Sequence, residues 1–180
     1  MPRRLLLLDA CVAINLAATD QLAGVAETLA LTFILTRQAA VEVGHLRDTI
    51  DGELVATPIN LSQHQSDPVL QFTDLEPSEY DLYVQLAALV DDGEAATIAV
   101  AIHRHIQLAT DDRKARSLCV QRGLTEPLRT LALVHSYADM AGLDHGETRE
   151  LLIKIRDRAS FQPPRTDPDQ KWWNGHFRES

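Results

Sequence analysis

Acidic residues stand at four places where apolar segments of this 180-residue chain begin or end: Asp9, Glu42, Glu94 and the pair Asp111-Asp112. In an open parallel sheet the carboxyl ends of the strands meet at one edge, where ligands bind. Carboxylates gathered there repel one another unless a cation neutralises them, and hard divalent ions prefer oxygen ligands. The pattern therefore predicts a divalent-metal site, and a metal site built from carboxylates indicates phosphodiester hydrolysis.

Each acid can be given a role in such a site. One or two Mg²⁺ or Mn²⁺ ions can activate a water molecule and stabilise charge on the phosphate and on the leaving oxygen. Because Mg²⁺ takes only one or two direct carboxylates, we expect Asp9 and one of Asp111 and Asp112 to contact the metal. Glu94 is expected to bind it directly or through water, and Glu42 to hold a water molecule. The alternative for each acid is a helix cap or an exposed helix position.

Apolar segments alternate with helical patterns, which predicts one α/β domain with a mainly parallel central sheet. The predicted strands are Leu5–Leu8, Leu31–Leu35, Leu54–Ile59, Val69–Thr73 and Ile106–Thr110. The predicted helices are Cys11–Ala18, Gln21–Ala30, one capped by Thr36 and running to about Leu46, Glu79–Val90, Glu94 to about His105, Arg113–Arg122, Leu128–Ala141 and Glu147–Arg158.

The last part of the chain, Phe161–Ser180, is rich in proline and charge and predicts an irregular C-terminal tail after a domain of residues 1–160. Within it, Trp172 and Trp173 either dock the tail on the domain or form a surface for a partner. Cys11 and Cys119 lie in apolar segments, which is typical of buried free thiols in a reducing compartment. The run Leu5–Leu8 is too short for a signal peptide or a membrane span, so we expect a cytoplasmic protein.

Four motifs, in this order, resemble the PIN-domain family: Leu6–Leu16, Val41–Val43, Gly93–Ala99 and Ala109–Arg113. The resemblance covers roughly residues 5 to 135 and implies an α/β/α sandwich with metal-dependent ribonuclease activity. The family includes the VapC toxins of toxin–antitoxin pairs. It therefore also implies an RNA substrate, and it makes a cognate antitoxin protein a candidate partner. We also expect a homodimer.

The resemblance places the family's four acids at Asp9, Glu42, Glu94 and Asp112. Glu94 stands where the family often has Asp, so its carboxylate reaches one methylene further. The fourth acid commonly occurs as Thr-x-Asp, which from Thr110 leads to Asp112, with the adjacent Asp111 as the alternative. Cys11 stands where a small hydroxyl residue often supports the site, so we expect a missing or weaker hydrogen bond there.

The charge of the chain qualifies this interpretation. It has 17 basic and 26 acidic residues, a formal net charge of −9, which disfavours tight and sequence-blind binding to a polyanion. Such a charge fits a selective enzyme or one whose basic surface a partner completes. A local basic cluster, Arg113, Lys114 and Arg116, is predicted either to contact an RNA backbone or to form a solvated helix face.

Two other function classes are the alternatives. One is a catalytically silent PIN-like module that binds RNA or protein, but all four acidic positions are occupied. The other is a phospho-receiver domain, which also gathers acids at strand ends. That domain requires an acid pair after the first strand, whereas Asp9 stands between Leu8 and Ala10.

Overall fold

The computed structural model describes residues 3–61 and 68–178. Its strands are β1 (Arg4–Leu8), β2 (Leu31–Thr36), β3 (His45–Ile50), β4 (Glu53–Pro58), β5 (Leu70–Thr73) and β6 (Gln107–Ala109). Its α-helices are α1 (Ala10–Ala18), α2 (Leu22–Thr28), α3 (Arg37–Glu42), α4 (Tyr80–Ala87), α5 (Asp92–Arg104), α6 (Arg113–Gln121), α7 (Thr130–Ala141), α8 (His145–Arg158) and α9 (Gln170–Gly175). No helix within these two ranges is long and apolar enough to cross a membrane.

The central sheet contains four parallel strands in the order β5, β2, β1, β6. In the register of the two pairs that contain β1, Leu7 lies opposite Ile34 and Leu8 lies opposite Ala109. Every residue of β2 is buried, as expected for a strand covered on both faces. The predicted α/β fold with a parallel sheet is confirmed, and the carboxyl ends of β1 and β6 are neighbours.

Successive side chains of β1 point to opposite faces and divide the core into two parts. Leu6 and Leu8 belong to an apolar cluster with residues of α1, α2, α7 and α8. Leu7 belongs to a second cluster, with Ile98 of α5 and residues of α4 and α6. Helices therefore cover both faces of the sheet, which makes the domain an α/β/α sandwich.

A β-hairpin follows α3, where the helix from Thr36 was predicted to continue to about Leu46. Thr36 does cap this helix, since its hydroxyl accepts a hydrogen bond from Ala39 N at 3.2 Å, but the helix ends at Glu42. Strands β3 and β4 then pair antiparallel. Asp51 and Gly52 both have positive φ, as a two-residue hairpin turn requires. The prediction of a helix to about Leu46 is wrong, because Leu46 is buried from strand β3 and not from a continued helix.

Within its described residues, 161–178, the tail is not irregular over its whole length, because it contains α9. Trp173 of this helix is buried and packs edge-to-face against Phe161, with ring centroids 5.9 Å apart. Trp172 stacks on His135 of α7 at 4.2 Å. Large aromatic side chains gain enough from burial to fix a short helix that would not be stable alone. Of the two predictions for the Trp pair, docking on the domain is the one observed.

Candidate functional site

Asp9 directly follows β1 and caps α1, and both oxygens of its carboxylate accept hydrogen bonds. Oδ1 accepts from Ala10 N at 2.7 Å. Oδ2 accepts from the Thr110 hydroxyl at 2.8 Å and from the Cys11 thiol at 3.1 Å. Burial raises the pKa of Asp9, and the hydrogen bonds from Cys11 and Thr110 offset this only in part. At Cys11, where we expected a missing or weaker hydrogen bond, the thiol donates a hydrogen bond to Asp9.

Glu42, at the end of α3, reaches the start of α5. Its Oε1 accepts a hydrogen bond from Gly93 N at 2.8 Å. A Cβ atom added at Gly93 would lie 2.5 Å from both carboxylate oxygens, so only glycine permits this approach. Burial raises the pKa of Glu42, and the negative charges of Asp91 and Asp9 raise it further.

Glu94 and the carboxylates that influence its pKa form an acidic cluster, whose other members are Asp9, Glu42, Asp91 and Asp112. Asp91 caps α5 by accepting a hydrogen bond from Glu94 N at 2.8 Å, and the Glu94 side chain is partly buried. The pKa of Glu94 is raised to about 8, first by burial and then by the negative charges of four neighbouring carboxylates: Asp9, Asp91, Asp112 and Glu42. The tertiary structure therefore brings acids from four separate segments within electrostatic range of one another.

The two adjacent acids after β6 have different surroundings. Asp112 is exposed and caps α6, accepting from Lys114 N at 2.7 Å and from Ala115 N at 2.8 Å. Its backbone N donates to the Thr110 hydroxyl at 3.1 Å, which ties it to the group that holds Asp9. Because Asp112 also raises the pKa of Glu94, the structure groups it with the acidic cluster.

Asp111 instead joins a partly buried hydrogen-bond network with α1 and α7. It accepts from Thr130 N at 3.0 Å, from the Thr130 hydroxyl at 2.6 Å and from Asn15 Nδ2 at 3.1 Å. Asn15 also donates to the Thr130 hydroxyl at 3.0 Å. Burial raises the pKa of Asp111, and these donors counteract that effect. The network links the end of β6 to two helices.

The acidic cluster suits a hard divalent cation by the chemistry of its donors. It consists of carboxylates alone, the ligands that Mg²⁺ and Mn²⁺ take, and their mutual repulsion would be relieved by a cation. Among residues 3–61 and 68–178, no three His, Cys, Asp or Glu side chains are already grouped as a metal-binding set. Several of the acids are instead turned toward backbone N–H groups at the helix starts, namely Asp9, Glu42, Asp91 and Asp112.

A cavity of about 550 Å³ adjoins this cluster. Of the predicted basic cluster, Arg113 and Arg116 line the cavity, whereas Lys114 is exposed and is not part of the lining. Arg129, which the sequence did not single out, contributes a third guanidinium, and Cys11 lies between this cavity and Asp9.

Three residues of this region had no role in the sequence-based prediction. Asp91 carried a signal, because Asp-x-x-Glu before an apolar run is typical of a helix start and so places both acids together. Gly93 carried a weaker one, since glycine in a first helical turn can mark a close approach. Arg129 carried none, because only folding brings it beside α6.

A family model described as a PIN domain matches residues 5–163. No curated protein matches this chain. The matched range contains every acidic residue described above and ends at residue 163, beside Gln162 and Pro164 of the cavity lining.

Proposed function

Because this chain belongs to the PIN-domain family, we propose that it is a divalent-metal-dependent endoribonuclease. PIN domains are generally nucleases and typically bind divalent metals, which gives the class of activity. The convergence of Asp9, Glu42, Asp91 and Asp112 around Glu94 carries the finer proposal. A polyanionic substrate would not bind beside such a cluster unless cations neutralised it.

Asp9, Glu94 and Asp112 would hold Mg²⁺ or Mn²⁺, and a bound ion would supply an activated water and stabilise the charge on the phosphate. Thr110 and Cys11 fix the orientation of Asp9, so this carboxylate is positioned before the ion binds. Gly93 N holds one oxygen of Glu42, which leaves the other able to accept a hydrogen bond from a water molecule.

Retention of the acids supports an active enzyme over a silent binding module. A module that only binds RNA gains nothing from several carboxylates that raise one another's pKa. Membership of the PIN-domain family excludes the phospho-receiver domain.

The role of a toxin in a toxin–antitoxin pair is a narrower part of the proposal, supported by the resemblance of the four motifs to VapC toxins. A cognate antitoxin and a homodimer stay predictions. Induced expression of the wild type should arrest bacterial growth, whereas Asp9→Asn should not. Co-expression of a small protein encoded beside this chain should restore growth. Undiminished growth during wild-type expression would remove the toxin role and leave the ribonuclease to be tested in vitro.

The direct test is cleavage of single-stranded RNA by the purified protein with Mg²⁺, with Mn²⁺ and with EDTA. Asp9→Asn should reduce cleavage by more than the about 10–100-fold that changes around a metal's direct ligands cost. Asp81→Asn, on the exposed surface of α4, is the matched control and should be as active as the wild type. Circular dichroism should show both variants folded. Cleavage in EDTA, or equal activity of both variants, would contradict the proposal.

A further inference from the structure

The cavity beside Asp9 has the size and position of a ligand site. Its volume of about 550 Å³ lies within the about 300–1,000 Å³ that is usual for small-molecule sites. Cys11 lines it and also donates to Asp9, so only one side chain separates the cavity from the acidic cluster. Asp111, which also lines it, directly precedes Asp112 in the chain.

Three arginines line this cavity in a chain whose formal net charge is −9. Arg116 pairs with Glu126, and Arg129 pairs with Asp167 at 3.1 Å, which restricts both guanidinium groups before any ligand binds. Within the part of the chain that the structure describes, the buried Nε of Arg116 meets no acceptor. Planar guanidinium groups held in place in this way match the oxygens of a phosphate group.

The carboxylate of Asp111 also lines the cavity and is engaged by neutral donors. Its oxygens accept hydrogen bonds from Thr130 and Asn15. Glu126 and Asp167 pair with the arginines from outside the lining of the cavity.

Other parts of the wall are apolar. Ile14 of α1 lies on one side, and Phe161 and Pro164 come from the segment that follows α8. This segment turns at Ser160, a non-glycine residue with φ of 56°, a conformation that side chains normally avoid. Contact of Phe161 with the buried Trp173 fixes the segment over the cavity.

We propose that this cavity binds one nucleotide of the RNA strand, adjacent to the phosphodiester that is cleaved. The arginines would contact its phosphate, and its base would lie against Ile14, Phe161 and Pro164. This assignment rests on the proposed ribonuclease function, because the scissile phosphodiester must lie at the adjacent acidic cluster.

The first test observes the cavity directly, in the full chain with ¹³C-labelled isoleucine methyl groups and with EDTA present. Adenosine 5′-monophosphate should shift the Ile14 methyl resonances, whereas those of Ile98, buried on the other face of the sheet, should not move. Arg113→Gln should weaken the mononucleotide affinity about tenfold, as expected for loss of a hydrogen bond to a charged group. Arg122→Gln removes the same charge from the end of the same helix, outside the cavity lining, and should have no effect. An unchanged Ile14 signal at millimolar nucleotide would overturn the proposal.

The second test uses cleavage. Thr166→Trp would narrow the cavity from its exposed rim and should raise KM for RNA about tenfold, the loss of roughly one charged hydrogen bond, with kcat nearly unchanged. Thr125→Trp places the same side chain at an exposed position outside the cavity lining and should behave as the wild type. If the wild type cleaves RNA and Thr166→Trp matches it in KM, the nucleotide site is overturned while the ribonuclease stands. If Ile14 responds to the nucleotide but no RNA is cleaved, the site is supported and the ribonuclease fails.

Discussion

Asp111 and Glu94 are both acids with raised pKa values near the carboxyl edge of the sheet, yet their surroundings differ in kind. Around Asp111, neutral groups of Thr130 and Asn15 donate hydrogen bonds to the carboxylate and tie three elements together. Around Glu94, every named influence raises the pKa, because burial is followed by four other carboxylates. Asp111 is stabilised by the protein itself, whereas Glu94 and its neighbours would be stabilised by a cation.

The comparison shows that burial of an acid does not by itself indicate a metal site. What distinguishes Asp111 from Glu94 is whether the surroundings supply donors to the carboxylate or further negative charge. Because Asp112 is one of the carboxylates that raise the pKa of Glu94, we propose that Asp112 is catalytic and that Asp111 is structural.

The largest effect should come from removing the negative charge of Asp112 and, in a separate variant, that of Asp111. Asp112→Asn should remove most cleavage activity and keep stability, since asparagine caps a helix as well as aspartate does. Asp111→Asn should cost about 1–3 kcal/mol of unfolding free energy, because its amide group would face a donor from Thr130 or Asn15. Folded Asp111→Asn molecules should still cleave RNA. Chemical denaturation and RNA cleavage measure the two effects.

The reverse result, an inactive but stable Asp111→Asn and an active Asp112→Asn, would show that the roles of the pair are exchanged. The grouping of Asp112 with Glu94 would then have to be abandoned.

A smaller loss is expected from Gly93→Ala. The added methyl carbon would meet the Glu42 carboxylate at 2.5 Å and force it away from Gly93 N. We expect about a tenfold loss of activity, at the lower end of the cost of changing groups around a metal site. Gly175→Ala is the control, because an added Cβ there meets no atom within 4 Å. Equal activity of the two variants would show that the position of Glu42 does not matter for cleavage.

The pKa of Glu94 predicts how the stability of the metal-free protein depends on pH. Folded protein keeps the Glu94 proton up to about pH 8, while the unfolded chain loses it near 4.5. The unfolded state therefore binds fewer protons in this window, so stability falls as pH rises through it. Glu94→Gln should weaken this fall in thermal melts with EDTA, and Glu150→Gln, on the exposed surface of α8, should not.

The same thermal melts with divalent ions present test whether Glu94 binds the metal. Mg²⁺ or Mn²⁺ should raise the melting temperature of the wild type most near pH 8, because the ion replaces the proton. The melting temperature of Glu94→Gln should rise less when the ion is added. If both proteins gain equally at every pH, Glu94 takes no part in binding the ion.

The smallest effect is expected for Cys11→Ser. Burial and the Asp9 charge raise the pKa of the Cys11 thiol well above its usual value, so it acts as a neutral donor to Asp9. A hydroxyl can make the same hydrogen bond, and the difference should stay below about 1 kcal/mol, the scale of one neutral hydrogen bond. Cleavage rates should accordingly change only a few-fold. A large loss would mean that the size of sulfur, rather than its proton, supports Asp9.

The sequence by itself determined the parallel sheet and the segments that carry the acids. The apolar strand ending at Asp9 and the helix starting near Glu94 are visible because local periodicity and capping residues act over a few positions. It did not distinguish a hairpin from a continued helix at Leu46, since short apolar patterns fit both periods.

Tertiary structure decided the contacts between residues far apart in the chain. The meeting of Glu42 with Gly93, the separation of Asp111 from Asp112, and the position of Arg129 in the cavity depend on how the helices pack on the sheet. Such contacts are set by the summed burial of many side chains, none of which shows its distant partner in its own sequence neighbourhood. The sequence thus determined which groups are available for chemistry, and packing decided which of them meet.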